Sequence, residues 1–439
     1  MKKFFVSVGL IAAGTASLQG AYAPVWNSAS ASMWSVSGTL RGFYDDNYNT
    51  SSSGPNKGSF GFEVSPQVGL NVPLQQTEYG LRYTYGMYYY QERQDLGQDP
   101  IDQTHQLDLW MDHAFTERWQ AKVLDSFVVG QEPELLDPNT SVANRVNGNN
   151  IRNAGNVTLN TTWTRLFSTS LNYQNSIYDY ENSGATTNNV ATQGASYAGE
   201  LNRIDQSVSL DFQWLVAPET VAFFGGAFEW VDYTGDEPIA FNELAYFFGP
   251  KYGPVYYYSD DRNSYSYFGY VGLQRRWLAN LSWTGRVGFQ YTDNYNDPLG
   301  STSLNPYADI SLVYTYLPGC YTQIGFTQME NATDNVSVDP NNGAIALFTE
   351  SSTLYGSINH KLTPKLLGSV IGRWQHSTYN GGSYNNQADD YYSLGLNLSY
   401  SFTPHFSADA GYNLDDYVSQ IPGNGYTRNR VYLGVTAAY

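Results

Sequence analysis

Residues 390–414 alternate apolar and polar positions with few breaks. Tyr392, Leu394, Leu396, Leu398, Tyr400 and Phe402 share one face of an extended chain; Ser393, Gly395, Asn397, Ser399 and Ser401 share the other. After "FTPH" the alternation resumes with Phe406, Ala408, Ala410, Tyr412 and Leu414. A period of two is that of a β-strand, so the stretch predicts a hairpin whose strands each carry one apolar face. The same dyad appears at 60–72, 79–89, 208–216 and 281–291. In the first of these Phe60, Phe62, Val64, Val68, Leu70 and Val72 oppose Glu63, Ser65, Gln67 and Asn71.

Extending this reading along the chain predicts strands near 33–44, 60–72, 77–90, 104–115, 119–129, 156–164, 168–178, 203–216, 219–231, 264–276, 280–292, 306–316, 320–329, 352–362, 365–376, 391–402, 405–414 and 428–439. Two kinds of connection alternate between them. One is very short, as in "PLQQ" (73–76), "APE" (217–219), "LPG" (317–319) and "TP" (363–364 and 403–404). Proline fits there because it fixes φ and removes a ladder donor. The other is long and polar: 45–59, 91–104, 130–156, 179–202, 232–263, 293–305, 330–351, 377–390 and 415–427. A sandwich gives no reason to gather every long loop at one end. A transmembrane antiparallel barrel does, with short periplasmic turns and long extracellular loops. The expected fold is therefore all-β, a single closed barrel of eighteen strands, with sixteen as the lower bound.

Composition agrees with an outside that is not water. Charged residues are 14% of the chain, against roughly 25% in soluble domains. Aromatic residues reach 16%, including 39 Tyr. Residues 1–23 have the shape of a secretory signal: Lys2 and Lys3, an apolar run from Phe4 to Leu18, and "AYA" at 21–23. Residues 24–32 would form a short periplasmic segment and 33–439 the barrel. No later apolar stretch is long enough for a membrane helix, which leaves the closed barrel as the spanning structure. The one cysteine, Cys320, rules out an internal disulfide. A net charge of -18 argues against nucleic acid or polyanions as partners.

The last strand, "NRVYLGVTAAY", places Val431, Leu433, Val435, Ala437 and Tyr439 on one face. This resembles the terminal strand by which outer-membrane proteins are recognised by the barrel-assembly machinery. The motifs "RGFYDDNYN", "IYDYEN", "WVDYTGD", "YTDNYND" and "YNLDDY" end the first and several later upward strands, and "L/F-T-P" turns recur. Together these resemble the type-two β-barrel porins of Gram-negative outer membranes. The resemblance implies an outer-membrane barrel with a transport role and brings no catalytic residues with it.

By the alternation, the charged side chains expected to face the lumen are Arg41, Glu63, Arg82, Asp108, Asp112, Asp211, Glu229, Arg276, Arg286, Asp309, Arg373, Asp409 and Arg430. Both signs are present, which predicts opposed basic and acidic stretches of wall, a common selectivity device. The competing expectation is that these charges pair with one another across neighbouring strands. The pairs Asp45-Asp46, Asp260-Asp261, Asp389-Asp390 and Asp415-Asp416 fall at strand tops and predict an acidic mouth that concentrates cations. Such carboxylates also suit Ca²⁺ or Mg²⁺ bridging to lipopolysaccharide; no other cofactor is expected.

The expected partners are outer-membrane lipid, lipopolysaccharide and small hydrophilic solutes, and the oligomeric state is left open. Channel, adhesin-type barrel and outer-membrane hydrolase are the function classes to separate. The five His residues are scattered, and no nucleophile elbow, metal-ligand run or phosphate loop is present. An enzyme is therefore not expected.

Overall fold

The computed structural model describes residues 33–52, 58–130, 149–181, 184–333 and 335–439. The expected signal segment 1–23 and the segment 24–32 lie outside the described residues.

Eighteen strands close into one antiparallel sheet. They are β1 (Trp34–Asp45), β2 (Ser59–Pro73), β3 (Thr77–Tyr90), β4 (Ile101–Ala114), β5 (Trp119–Gly130), β6 (Asn150–Thr162), β7 (Phe167–Tyr180), β8 (Arg203–Ala217), β9 (Thr220–Tyr233), β12 (Ser264–Leu278), β13 (Leu281–Asp293), β14 (Thr302–Leu317), β15 (Cys320–Ala332), β16 (Phe348–Thr363), β17 (Leu366–Asn380), β18 (Ala388–Thr403), β19 (Phe406–Ser419) and β20 (Tyr426–Ala438). Two short strands, β10 (Pro238–Phe241) and β11 (Tyr256–Tyr258), pair only with each other, inside the connection between β9 and β12. Every barrel strand pairs with its neighbour in sequence, and β1 also pairs with β20. The seal extends to the last residue, where Val36 and Tyr439 exchange backbone hydrogen bonds of 2.9 and 2.8 Å. Closure removes every sheet edge, as lipid requires.

Period two puts each apolar set on the outer wall. Phe60 is 66% exposed and Leu433 68%, values that would be anomalous against water and are ordinary against acyl chains. Aromatic rings collect near both strand ends. Trp119 and Trp163 meet edge to face at 5.8 Å beside the short turns. Tyr44 packs on Phe60 at 4.8 Å beside the long loops. These are the girdles expected at two interfaces. Val431, Leu433, Val435 and Tyr439 are exposed on this outer wall, and Ala437 shares their face.

The outer wall changes character on β5–β8. Asp125, Asn153, Asn175 and Gln206 all face outward there. Asn153 Nδ2 donates to Asp125 Oδ1 at 3.1 Å, and Tyr173 donates its hydroxyl proton to Gln206 Oε1 at 3.2 Å.

Several strands run past their expected bounds at the long-loop end. The strand expected at 405–414 continues to Ser419, and that expected at 391–402 starts at Ala388. These extensions carry several of the paired aspartates into the sheet.

Candidate functional site

Arg41, Glu63, Arg82, Asp108, Asp112, Asp211, Glu229, Arg276, Arg286, Asp309, Arg373, Asp409 and Arg430 all lie on the inner wall, by register and alternation. They do not sort into opposed basic and acidic stretches, so that expectation is corrected. Most are tied to a neighbour of opposite sign or to a polar group. Arg41 Nε donates to Asp409 Oδ2 at 2.8 Å, and its Nη1 reaches Glu63 at 3.4 Å. Arg82 binds Asp108 at 2.7 Å, and Asp108 also accepts from Gln106 and Ser126, each at 2.9 Å. Lys122 approaches Asp112 at 3.5 Å, and Arg276 approaches Glu219 at the same distance beside a short turn. Arg373 donates to Gln375. A charge on a partly dehydrated wall needs such a partner, because an uncompensated one costs several kcal/mol.

Two of these links span more than one strand. Arg286 on β13 crosses β12 and β9 to reach Asp211 on β8 at 3.1 Å, and Tyr270 donates to the same carboxylate at 2.7 Å. Glycine makes the crossing possible: a Cβ on Gly225 would stand 2.3 Å from Asp211 Oδ1. Arg41 likewise reaches β19 by lying over Gly434 of β20, where a Cβ would stand 2.4 Å from Arg41 Cγ.

The acidic mouth is corrected as well. Consecutive residues of a strand point to opposite faces, so each pair within a strand is divided. Asp45 is fully buried inside, accepting from Arg428 at 2.7 Å and from Arg430 at 3.0 Å. Its neighbour Asp46 accepts from Asn429 through the backbone and the side chain. Asp389 is buried among the hydroxyls of Tyr379, Tyr417 and Ser419, whereas Asp390 accepts from Trp374 Nε1 at 2.9 Å on the other face. Asp415 accepts from Tyr391 at 2.8 Å, and Asp416 from Thr427 at 2.6 Å. Asp260 and Asp261 lie in a 3₁₀ turn, Ser259–Arg262. There Asp260 is exposed and Asp261 accepts the Tyr258 backbone N–H at 2.7 Å. Burial pushes the Asp261 carboxyl above its usual range, and Asp260 and Asp297 add to that, against the Tyr258 bond.

Above the β7–β16 side of the lumen, segments 184–202, 234–263 and 335–347 assemble a cap. They contribute α1 (Thr187–Gln193), α2 (Tyr197–Leu201), the β10–β11 hairpin and α3 (Glu243–Phe248). Ile239, Tyr257, Ile345, Leu347 and Phe348 form its apolar centre, with Val336 and Val338 against them. Arg262 staples it. Its Nη1 donates to the Glu200 carbonyl at 2.9 Å, and its Nη2 to the Tyr233 hydroxyl at 2.8 Å and to the Thr333 carbonyl. The guanidinium lies 4.2 Å from the Tyr233 ring centroid, and the residue is 1% exposed.

Under this cap opens a recess with about 1550 Å³ of empty space, continuous with solvent. Its carboxylates are Asp205, Glu229, Asp309 and Glu330; its rings include Tyr178, Tyr233, Tyr270, Tyr307 and Tyr355. Asp205 and Arg203 were missed in the sequence, although they share the parity of Asp211 on the same strand. Lys122 was missed in the same way. Glu330 and Arg262 could not be found by alternation: one ends its strand where the chain leaves the barrel, and the other sits in a loop.

The "Putative beta-barrel porin 2" family matches residues 32–439. The chain belongs to this porin family. Such a porin is an outer-membrane barrel, and the closed sheet described above is that architecture. No curated protein matches the sequence. Among solved structures, OccAB4 of Acinetobacter baumannii is 12% identical and is matched over 93% of this chain and 99% of its own, with a TM-score of 0.42. OccK5 (OpdH) of Pseudomonas aeruginosa is 11% identical over 92% and 98%, with a TM-score of 0.42. The siderophore receptor PirA from the same organism is 11% identical over 92% and 80%, with a TM-score of 0.41. Likenesses this weak carry no argument about what this porin transports.

The porin's five histidines are dispersed, bonding to Tyr83, Thr77, Tyr316, Asp390 and the Ala438 carbonyl. His376 does meet an aspartate, Asp390, at 3.0 Å, but on the outer face. Among the described residues no three His, Cys, Asp or Glu side chains are grouped to hold a metal ion.

Proposed function

We propose that this porin is a channel for passive diffusion of small hydrophilic solutes and ions across a Gram-negative outer membrane, with a weak preference for cations. One observation carries the reading. The barrel is closed, yet charged inner-wall side chains on β3–β5 stay accessible: Arg82 is 31% exposed, Lys122 36% and Asp112 41%. On the capped side, by contrast, Arg286 is 2% exposed. This contrast supports a water path beside the cap, along the β3–β5 wall. An 18-strand barrel has room for such a path. The preference for cations rests on Glu229, Asp309 and Glu330, luminal carboxylates with no basic partner at ion-pair distance among the described residues, rather than on the mouth, since Asp45 and Asp389 are consumed by buried bonds. Planar-bilayer recording in a KCl gradient tests both statements. The expected result is steady conductance with a reversal potential of cation-selective sign. Anion preference overturns the selectivity, and absence of conductance overturns the channel.

A second reading, surface attachment, is favoured by α3, where Tyr246, Phe247 and Phe248 are 60, 65 and 68% exposed. Contiguous exposed rings mark contact surfaces. Replacing all three with Ser should abolish adhesion of whole cells under this reading and leave it unchanged if the porin is only a channel.

A further inference from the structure

We infer that the recess under the cap is a binding site for small organic cations, namely solutes carrying a primary ammonium group on a short apolar or hydroxylated body. The inference rests on the channel reading for the route by which solutes arrive.

The charges of the recess do not balance internally. Asp205 is neutralised by Arg203 at 3.0 Å, and that guanidinium lies 4.3 Å from the Tyr178 ring centroid. Asp211 is neutralised by Arg286. Arg262 spends its guanidinium on cap carbonyls and on Tyr233. Three carboxylates are left without a basic partner at ion-pair distance among the described residues: Glu229, Asp309 and Glu330. Glu330 is held by Ser303 at 2.6 Å and by Asn305. Asp309 stands opposite Arg286 in the β13–β14 register and feels its charge, but the ion pair of that guanidinium is made with Asp211.

Glu229 is the decisive group. It faces Ser207 and Ser266 on its two flanking strands and lines the void, and no side chain among the described residues donates a hydrogen bond to it. It is half-buried at the wall of the recess, with Asp205 and Glu330 as acidic neighbours and Arg203 as the basic one. A carboxylate that opens onto the recess without a donor from the described residues is completed by water or by a cationic solute.

The ring lining narrows the class. A hydrated metal ion gains little from tyrosine faces, whereas an alkylammonium gains from both the rings and the carboxylates. Tyr307 and Tyr355 line the same wall, whereas the Tyr233 and Tyr270 rings already meet the Arg262 and Arg286 guanidiniums. Anions would be repelled by these carboxylates, and a neutral polyol could hydrogen-bond Glu229 without offsetting its charge.

The test uses the full porin in planar bilayers bathed in KCl, with 1,4-diaminobutane as probe. The controls are 1,4-butanediol, succinate and Mg²⁺ at equal concentration. The expected result is concentration-dependent interruption of the K⁺ current by the diamine alone. Glu229→Gln and Asp309→Asn, each checked for heat-modifiable migration on SDS gels, should each weaken the block about tenfold, the scale of one charged hydrogen bond. Steady conductance without block, block unchanged in both variants, or equal block by the diol or by Mg²⁺ overturns the site and leaves the channel standing. Absence of conductance in KCl overturns the channel instead. Calorimetry of the diamine with detergent-solubilised porin then decides the site: heat lost in Glu229→Gln supports it, and no heat with the parent protein overturns it.

Discussion

Arg41 on the first strand and Asp409 on the nineteenth meet at 2.8 Å although a whole strand, β20, lies between them. The guanidinium passes over Gly434, which has no side chain to block it. The pair therefore bridges the seam where the two ends of the chain join, adding a side-chain clasp to the β1–β20 ladder.

Gly434→Val should break that clasp. A branched side chain there collides with Arg41 and leaves Asp409 and Glu63 facing each other with less compensation. Overpacking of this kind costs about 1–3 kcal/mol. The unfolding midpoint in urea, followed by heat-modifiable migration in gels, should fall accordingly. Gly38, whose added Cβ would meet no atom within 4 Å, should tolerate Ala with little change.

Arg262→Ala should loosen the cap while leaving the barrel intact. It strands the Glu200 and Thr333 carbonyls and removes the Tyr233 contact, a loss of about 2–4 kcal/mol confined to the loops. Protease added to whole cells should cut within 184–263 faster than in the parent, and single-channel current should become larger and noisier. Unchanged cleavage and current would remove the staple role.

Asp125 faces outward between Val123 and Phe127 and accepts from Asn153. A carboxylate at that level is unfavourable in lipid. Asp125→Leu should raise the stability of the reconstituted barrel by about 1–2 kcal/mol, read from urea unfolding in vesicles. A loss of stability instead would mean that protein, not lipid, covers this part of the wall.

Asp261 makes the cap sensitive to pH. Its folded-state carboxyl is raised by burial and by Asp260 and Asp297, so the folded cap holds the proton more tightly than the open one. The contribution is complete below the ordinary value of 3.8 and is lost as pH rises through the raised value. Protection factors of 256–263, which correct exchange for the intrinsic base catalysis of amides, should therefore be highest in acid and fall as pH rises through that window. Asp261→Asn should flatten the profile.

Much of this molecule is written in a period of two. Alternation determined the strand count, the lipid face from Phe60 to Val72, the luminal side of Arg41, Asp211 and Arg286, and the end of the barrel carrying the long loops. It does so because a pleated strand sends successive side chains to opposite sides whatever else the protein does. Reading strands too short hid the rest of what that rule implies. Once β1 runs to Asp45, β18 starts at Ala388 and β19 runs to Ser419, the three aspartate pairs at these strand ends must straddle the wall, while Asp260 and Asp261 stay in a turn of the cap. The inner member of each straddling pair is then buried against arginine, tyrosine or serine. What no periodicity determined is the stagger between strands. That stagger brings Arg286 to Asp211 across two strands and Arg41 to Asp409 across one, and leaves Glu229 without an ion-pair partner among the described residues. The cap is of the same kind. Its apolar centre joins Ile239, Tyr257 and Ile345 from loops far apart in sequence, and Arg262 is fixed by carbonyls that only the closed barrel brings within reach. Side-chain facing is a local property of the extended chain; stagger and loop packing are set by closure of the whole sheet, and closure is decided in three dimensions.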